Sequence, residues 1–168
     1  MPQTSTVLPE AARRVAALLN ELDHDRPVVM LASTGRSAAE AAAGLGCSVA
    51  EIAKSIIFRR LSDDAPVLVI ASGSNRVDEA KVAAHVGALG KADARFVREK
   101  TGYVIGGVCP IGHLVKPLML LDQDLFGFPS VWAAAGHPHA VFNLSAQQLL
   151  KMTGATVADI AAATVTPS

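Results

Sequence analysis

One lysine occupies a position from which its amine can reach a cleft. Lys54 lies where a helical pattern ends and directly precedes the apolar residues 55–58. An ammonium held at the end of a rigid strand can hydrogen-bond a carbonyl oxygen and stabilise negative charge that develops on it. The position is also typical of a lysine that extends its amine into water. Both a catalytic and a purely solvated Lys54 therefore stay open at this point.

A glycine-rich segment further along the chain lacks any helical or strand periodicity. Residues 102–113 read GYVIGGVCPIGH, which predicts an ordered loop. Gly106 and Gly107 permit close approach of the backbone to a ligand, Pro110 stiffens the exit, and main-chain N–H groups in such a loop can converge on an oxyanion. An ordinary glycine turn explains the same residues equally well. The segment matches neither the P-loop nor the dinucleotide-binding motif, so no known motif decides between the two interpretations.

Cysteine and histidine residues in and after this loop raise two further possibilities. Cys109 lies four residues before His113, which suits a thiol nucleophile, but no orienting acid is identifiable. A cysteine in such a loop is as often a small buried residue. Together with Cys109 and His113, His137 and His139 make four possible zinc ligands. The spacing of these four residues matches no common zinc site. We therefore expect no metal and no other cofactor.

Polar residues follow two other apolar runs. Asp122 ends the run LMLL and can orient a lysine, a loop or a substrate amine, or can cap the turn that follows it. Asn75, Arg76, Asp78 and Lys81 follow the run VLVIA and can meet phosphate or ribose. A solvated loop and a helix cap account for this second group equally well.

The elements that position these residues are predicted from hydrophobic period and capping. Helices are indicated by an amphipathic pattern in residues 9–22, by an Asp78 cap, and by the capping boxes Ser37/Glu40, Ser48/Glu51 and Ser145/Gln148. Strands and helices do not alternate strictly, which favours an α+β fold, with one mixed and partly barrel-like sheet surrounded by helices. Six strands are predicted, over residues 28–32, 55–58, 67–71, 118–121, 131–135 and 140–144.

Length and composition set further limits. The 168 residues, 51% of them hydrophobic and 18% charged, predict a single domain over residues 1–168. Fifteen basic and fifteen acidic residues argue against histone-like coating of nucleic acid, although residues 54–100 carry nine basic and six acidic side chains, a local charge of +3. Seven aromatic residues disfavour an RRM-like base-stacking surface. Two cysteines and the lack of a long apolar stretch lead us to expect a cytoplasmic protein with no membrane contact.

Six segments follow one another in an order that is far more specific than any one of them. They are AEAAAGLGC, IAKSIIF, PVLVIASGSNRVDEAKVAAHVG, REKTGYVIGGVCPIGH, LMLLDQDLF and VWAAAGHPHAVFNLSAQQLLKMTGA. In this order, over roughly residues 28–160, the chain resembles the YbaK/prolyl-tRNA synthetase-associated editing-domain family. The resemblance implies a deacylase that hydrolyses a mischarged aminoacyl-tRNA, often one for proline, without being part of the synthetase.

The resemblance also implies roles for individual residues. Lys54 corresponds to the lysine that helps to hold the aminoacyl ester, and Asp122 to the aspartate after the apolar strand. Lys81 and Arg76 are the candidate contacts to the acceptor end of tRNA, and a synthetase is a possible partner. The expected substrate loop consists of Gly106, Gly107, Val108, Cys109 and Pro110.

Two departures from the family pattern bear on specificity. Ala134 stands where cysteinyl-specific members carry a serine, and no aromatic residue occurs near Thr34, Gly35, Arg36 and Ser37. Both departures argue against cysteine as the amino acid that is removed from the tRNA, and they favour another small one, such as alanine, serine or threonine. His137 is expected near the mouth of the pocket, although an ordinary hairpin explains its position too. The alternative function is a catalytically silent module that binds tRNA or a synthetase, and a thiol hydrolase is a more distant possibility.

Overall fold

Eight strands form one open, mixed sheet in the computed structural model, which describes residues 8–31 and 37–163. The strand order is β1-β7-β6-β2-β3-β5-β8, and β4 pairs with β2 beside this path. The strands are β1 (Val28–Met30), β2 (Ile52–Arg60), β3 (Pro66–Ser72), β4 (Leu89–Lys91), β5 (Leu118–Asp122), β6 (Val131–Ala134), β7 (Ala140–Leu144) and β8 (Thr156–Ala158).

The α+β class and the mixed sheet are confirmed, and the strand count is larger than predicted. The two additional strands, β4 and β8, have three residues each, which is too short for a period of two to be recognised. The sheet is not closed into a barrel, because among the described residues β1 and β8 end the strand order without pairing with each other. Lys54 lies inside β2 rather than before it, and the predicted end of β1 at Ala32 lies outside the described residues.

Five α-helices surround the sheet, and their starts follow the predicted caps. Ser37, Asp78 and Ser145 each accept a backbone N–H at the beginning of a helix. The Ser48/Glu51 box begins a short 3-10 helix, Val49–Glu51, rather than an α-helix. The fourth of the helices, over residues 94–101, was not predicted from the sequence. The helices are α1 (Glu10–Glu21), α2 (Ala38–Leu45), α3 (Glu79–Val86), α4 (Ala94–Thr101) and α5 (Ala146–Thr153).

Apolar clusters cover both faces of the sheet. On one face Ala53 and Ile57 of β2 join the largest cluster, beneath α1, α4 and α5. On the other face Ile52 packs with α2, and Phe58 packs against a separate cluster that contains Val82 of α3. Successive residues of a strand point to opposite faces, so Lys54 lies on the second face, between these two smaller clusters. Within the described ranges, no helix is long and apolar enough to cross a membrane.

One edge of β2 is paired at its two ends and open in the middle. β3 pairs along the first edge from Ala53 to Arg59. On the second edge, β6 pairs only with Ile52 and Ala53, and β4 pairs only from Phe58 to Arg60. Among residues 8–31 and 37–163, no strand pairs with residues 54–57 on this side, and the sheet has a break there.

Candidate active site

A small cavity of about 220 Å³ lies at this break. β2 contributes Lys54 and Ser55, β6 contributes Ala134, and the glycine-rich loop contributes Gly106 and Val108. The rest of the wall consists largely of small and aliphatic side chains from α2, β2 and β7. Four of the predicted site residues, which are far apart in the sequence, therefore line one cavity.

The amine of Lys54 is held in place by a neighbouring loop. Its Nζ donates a hydrogen bond of 2.7 Å to the backbone carbonyl of Asn75, and its side chain is half-buried. Burial lowers the pKa of the Lys54 amine, and the negative charge of Asp122 opposes this shift. A partly desolvated ammonium interacts more strongly with a developing negative charge than one in bulk water does.

Asp122 organises the loop that holds Lys54. It is buried, with 1% of its surface exposed, and does not line the cavity. One carboxylate oxygen accepts from the Ser72 N–H at 3.0 Å and the Asn75 side-chain amide at 2.8 Å, and the other accepts from the Asp124 N–H at 2.9 Å. The predicted cap of the following turn and the predicted orientation of a loop are thus both present. Asp122 therefore anchors the Asn75 segment, whose backbone carbonyl accepts from the Lys54 amine.

The glycine-rich loop approaches the cavity through only some of its residues. Gly106 has a φ of +89°, in the region that favours glycine, and it lines the cavity together with Val108. The Gly107 N–H donates to the Val104 carbonyl at 2.9 Å, so it is committed to a turn and is not free for an oxyanion. Cys109 and Pro110 are buried and do not line the cavity.

Gly107 packs directly against the backbone of His137. A Cβ atom at position 107 would lie 2.9 Å from the His137 Cα, a distance that requires the backbone to shift. We expect Gly107→Ala to lower the free energy of unfolding by about 1–3 kcal/mol, as overpacking does, and to slow any reaction in the cavity. Gly127→Ala is the matched control, because its Cβ would meet nothing within 4 Å. Chemical denaturation of both variants tests this, and equal stability of the two would contradict the assigned contact.

The cysteine and histidine residues do not form a nucleophile or a metal site. Cys109 is fully buried, and burial raises the pKa of its thiol to about 12. The His113 ring bonds to the Cys109 backbone carbonyl rather than to the thiol, and burial lowers the pKa of His113. His137 is half-buried, and its Nδ1 accepts from the His139 N–H at 3.1 Å. Across residues 8–31 and 37–163, no group of three His, Cys, Asp or Glu residues could hold a metal.

The two candidate tRNA contacts lie outside the cavity lining. The Lys81 amine donates to the Asp159 carboxylate at 3.0 Å and to the Ala161 carbonyl at 2.7 Å, so it fastens the C-terminal segment. Arg76 is exposed, and its carbonyl accepts from the Ala162 N–H. Of the region in which an aromatic residue was absent, Thr34, Gly35 and Arg36 lie outside the described residues.

Ser55 also lines the cavity and was not predicted from the sequence. Its hydroxyl oxygen is buried and has no hydrogen-bond partner among the described residues. An unpaired buried hydroxyl costs about 1–3 kcal/mol, and such a group calls for an explanation. A serine in an apolar strand gives no sequence signal that could have singled it out.

The chain is an α+β domain with a cavity of about 220 Å³ beside a partly buried amine, at a break in its sheet. A family model described as the aminoacyl-tRNA editing domain matches residues 32–152, and the chain belongs to this family. YwhH of Bacillus subtilis (strain 168) is 29% identical over 138 residues, which are 82% of this chain and 87% of that protein.

Two solved structures extend these similarities to the fold. The first is described as a "putative trans-editing enzyme for prolyl tRNA synthetase"; it is 41% identical, with a TM-score of 0.87, over 93% of this chain and 99% of that one. The second, the hypothetical protein APE2540, is 28% identical, with a TM-score of 0.80, over 89% of this chain and 99% of that one. The α+β fold with its open sheet is thus that of an editing domain.

Proposed function

We propose that this protein is a trans-editing deacylase that hydrolyses the ester of a small, non-cognate amino acid on tRNA, with tRNA for proline as the leading substrate. The observation that supports this most directly is that the Lys54 side chain and Gly106 line one cavity of about 220 Å³. The family of the chain and its similarity to the protein described as a trans-editing enzyme support the same reaction class.

The proposed reaction is attack of water on the aminoacyl carbonyl. The carbon–oxygen bond to the ribose breaks, the carboxyl group leaves with the amino acid, and the ribose oxygen takes up a proton. Lys54 is the group that faces the negative charge on the carbonyl oxygen, and one preorganised donor of this kind accounts for roughly 10² to 10³ in rate. A hydroxyl of the terminal ribose is the proposed aid in positioning the water. No protein nucleophile is needed, which agrees with a fully buried Cys109 thiol.

The size of the acyl group is the proposed basis of selection. The cavity wall includes Ala41, Ala53 and Ala134, whose short side chains leave space for a small substituent. Loss of one methylene from a substrate changes binding by only about 1–3 kcal/mol, so steric exclusion of longer side chains discriminates better than attraction does. Ala134 offers no hydroxyl to a thiol, which favours alanine, serine or threonine over cysteine.

A panel of charged tRNAs tests the proposal. Transfer RNA for proline is charged separately with alanine, serine, threonine, cysteine or proline, and the half-life of each ester is measured with and without the protein. We expect the esters of the first three to be hydrolysed faster than those of cysteine and proline. Unchanged half-lives for all five would refute the deacylase, and binding without hydrolysis would favour the catalytically silent module.

A further inference from the structure

Two side chains bind the glycine-rich loop on either side of Pro110. The His113 ring bonds through Nε2 to the backbone carbonyl of Cys109. The Tyr103 hydroxyl donates to the backbone carbonyl of Ile111 at 2.7 Å. The two rings contact each other edge to face, with their centroids 5.5 Å apart. The loop residues that line the cavity directly precede these two bonds in the chain, so the bonds hold the end of that stretch.

The bond to Cys109 specifies the tautomer of His113. A backbone carbonyl only accepts, so Nε2 carries the proton of the neutral ring and Nδ1 carries a lone pair. Nδ1 is buried and has no hydrogen-bond partner among the described residues. Protonation would add a positive charge and a second donor at this atom, with no acceptor to receive it. The site therefore fits the neutral ring.

Positive charges near His113 also disfavour its protonation. The Arg14 guanidinium lies 5.0 Å from the centroid of the Tyr103 ring and donates to a carbonyl of the loop at 3.3 Å. Lys116 lines a cavity of about 250 Å³ together with His113. Burial lowers the pKa of His113, the bond to the Cys109 carbonyl opposes this shift, and the Arg14 charge adds to it.

The other two titratable neighbours of His113 stay neutral. Burial raises the pKa of the Tyr103 hydroxyl and of the Cys109 thiol to about 12. None of the four neighbours, Arg14, Tyr103, Cys109 and Lys116, is a carboxylate, so none of them stabilises a protonated ring.

We infer that His113 is a positioning residue for the glycine-rich loop, and that the loop keeps its place at the cavity only while the His113 ring is neutral. On acidification the ring leaves its site, Nδ1 takes a proton from the solvent, and the Cys109 carbonyl loses its donor. Gly106 and Val108 then shift relative to Lys54. The consequence for hydrolysis rests on the proposed function, whereas the change in the loop does not.

The direction of the pH dependence follows from proton binding. The ordinary pKa of a histidine is 6.5, and in the folded protein that of His113 is lower. Below about pH 6.5 the unfolded chain therefore takes up a proton that the folded chain does not. The stability that the neutral ring contributes is fully present above this pH and is lost as the pH falls toward the lowered pKa.

NMR of the wild-type protein tests the inference without any hydrolysis. Ring nitrogen shifts of His113 and amide shifts of Gly106 and Val108 are followed from about pH 8 to the onset of acid unfolding. We expect the Nε2–H tautomer, and protonation below pH 6.5 with a midpoint that the two amides share. Protonation at or above pH 6.5, protonation that leaves the amides unchanged, or amides that hold their shifts until the whole protein unfolds would overturn the inference.

His113→Gln separates the hydrogen bond from the proton. The glutamine amide can donate to the Cys109 carbonyl but does not titrate, so the Gly106 and Val108 amides are expected to keep their shifts over the same pH range. His85→Gln is the matched control, because His85 is exposed in the last turn of α3, and here the two amides are expected to titrate as in the wild type. Equal titration of these amides in His113→Gln and in the wild type would contradict the role of His113.

Hydrolysis supplies a readout that a merely structural role would not move. At each pH the deacylation rate of the wild type is divided by that of His113→Gln, which cancels the intrinsic pH dependence of the ester. We expect this ratio to fall by about tenfold or more between about pH 7.5 and pH 5.5, because misplaced groups cost up to about 10²-fold in rate. A constant ratio would refute this inference alone. Loop amides that titrate as expected in a protein without deacylase activity would refute only the proposed function.

Discussion

Lys54→Ala is expected to lower the rate of ester hydrolysis by roughly 10² to 10³, the loss that follows removal of one preorganised charge-stabilising donor. The amine is partly desolvated and held by the Asn75 carbonyl at 2.7 Å, so its position is set before substrate binds. Alanine removes the charge and leaves the small walls of the cavity in place. The first-order rate constant for deacylation of alanyl-tRNA for proline is the measurement.

Lys151→Ala is the matched control for this variant. Lys151 is exposed in the last turn of α5, and its loss is expected to leave the rate unchanged. Thermal melting of both variants shows whether the fold is retained. A folded Lys54→Ala protein that deacylates at the wild-type rate would show that Lys54 is not a catalytic residue.

Asp122→Ala is expected to lower the free energy of unfolding by about 3 kcal/mol or more. The buried carboxylate accepts from the Ser72 N–H, the Asp124 N–H and the Asn75 amide. The Ser72 N–H stays buried without a partner, which costs about 1–3 kcal/mol, and the two part-buried donors add to this loss. Activity is expected to fall as well, because the Asn75 loop that holds Lys54 loses its anchor. Urea denaturation, with the slope of the transition compared between proteins, measures the loss of stability.

Asp124→Ala provides a control that shares one partner with Asp122. Asp124 is exposed and accepts from the same Asn75 side-chain amide at 2.8 Å. Since the Asn75 amide stays accessible to water in this variant, we expect the free energy of unfolding to fall by no more than about 0.5 kcal/mol. If the two variants were equally stable, the network around Asp122 would not be the anchor that its geometry indicates.

Local signals predicted much of the secondary structure correctly. The capping residues Ser37, Asp78 and Ser145 begin helices as expected, because a cap is satisfied by atoms within one turn of the chain. Each of the six predicted apolar runs overlaps a strand, since the backbone groups of a largely apolar segment are satisfied by pairing along its edges. The short strands β4 and β8 escaped prediction, because three residues form a strand only when a neighbouring strand already lies beside them.

The candidate site was predicted in part. Lys54, Gly106, Val108 and Ala134 were singled out and line one cavity. Cys109 was considered as a nucleophile, and only burial shows that its thiol is withdrawn from the cavity. Asp122 could be placed at the end of a strand, but not among the three donors that it binds.

Local sequence patterns were sufficient to predict the class of the fold, its main elements, and Lys54 and the glycine-rich loop as candidate site residues. Only the tertiary arrangement shows that β6 and β4 leave one edge of residues 54–57 of β2 without a partner strand among the described residues, and that Ser55 lines the cavity at that point. The physical reason is that caps and apolar periods depend on neighbours within a few residues. A break in a sheet depends instead on where separate strands stop pairing, which no local pattern encodes.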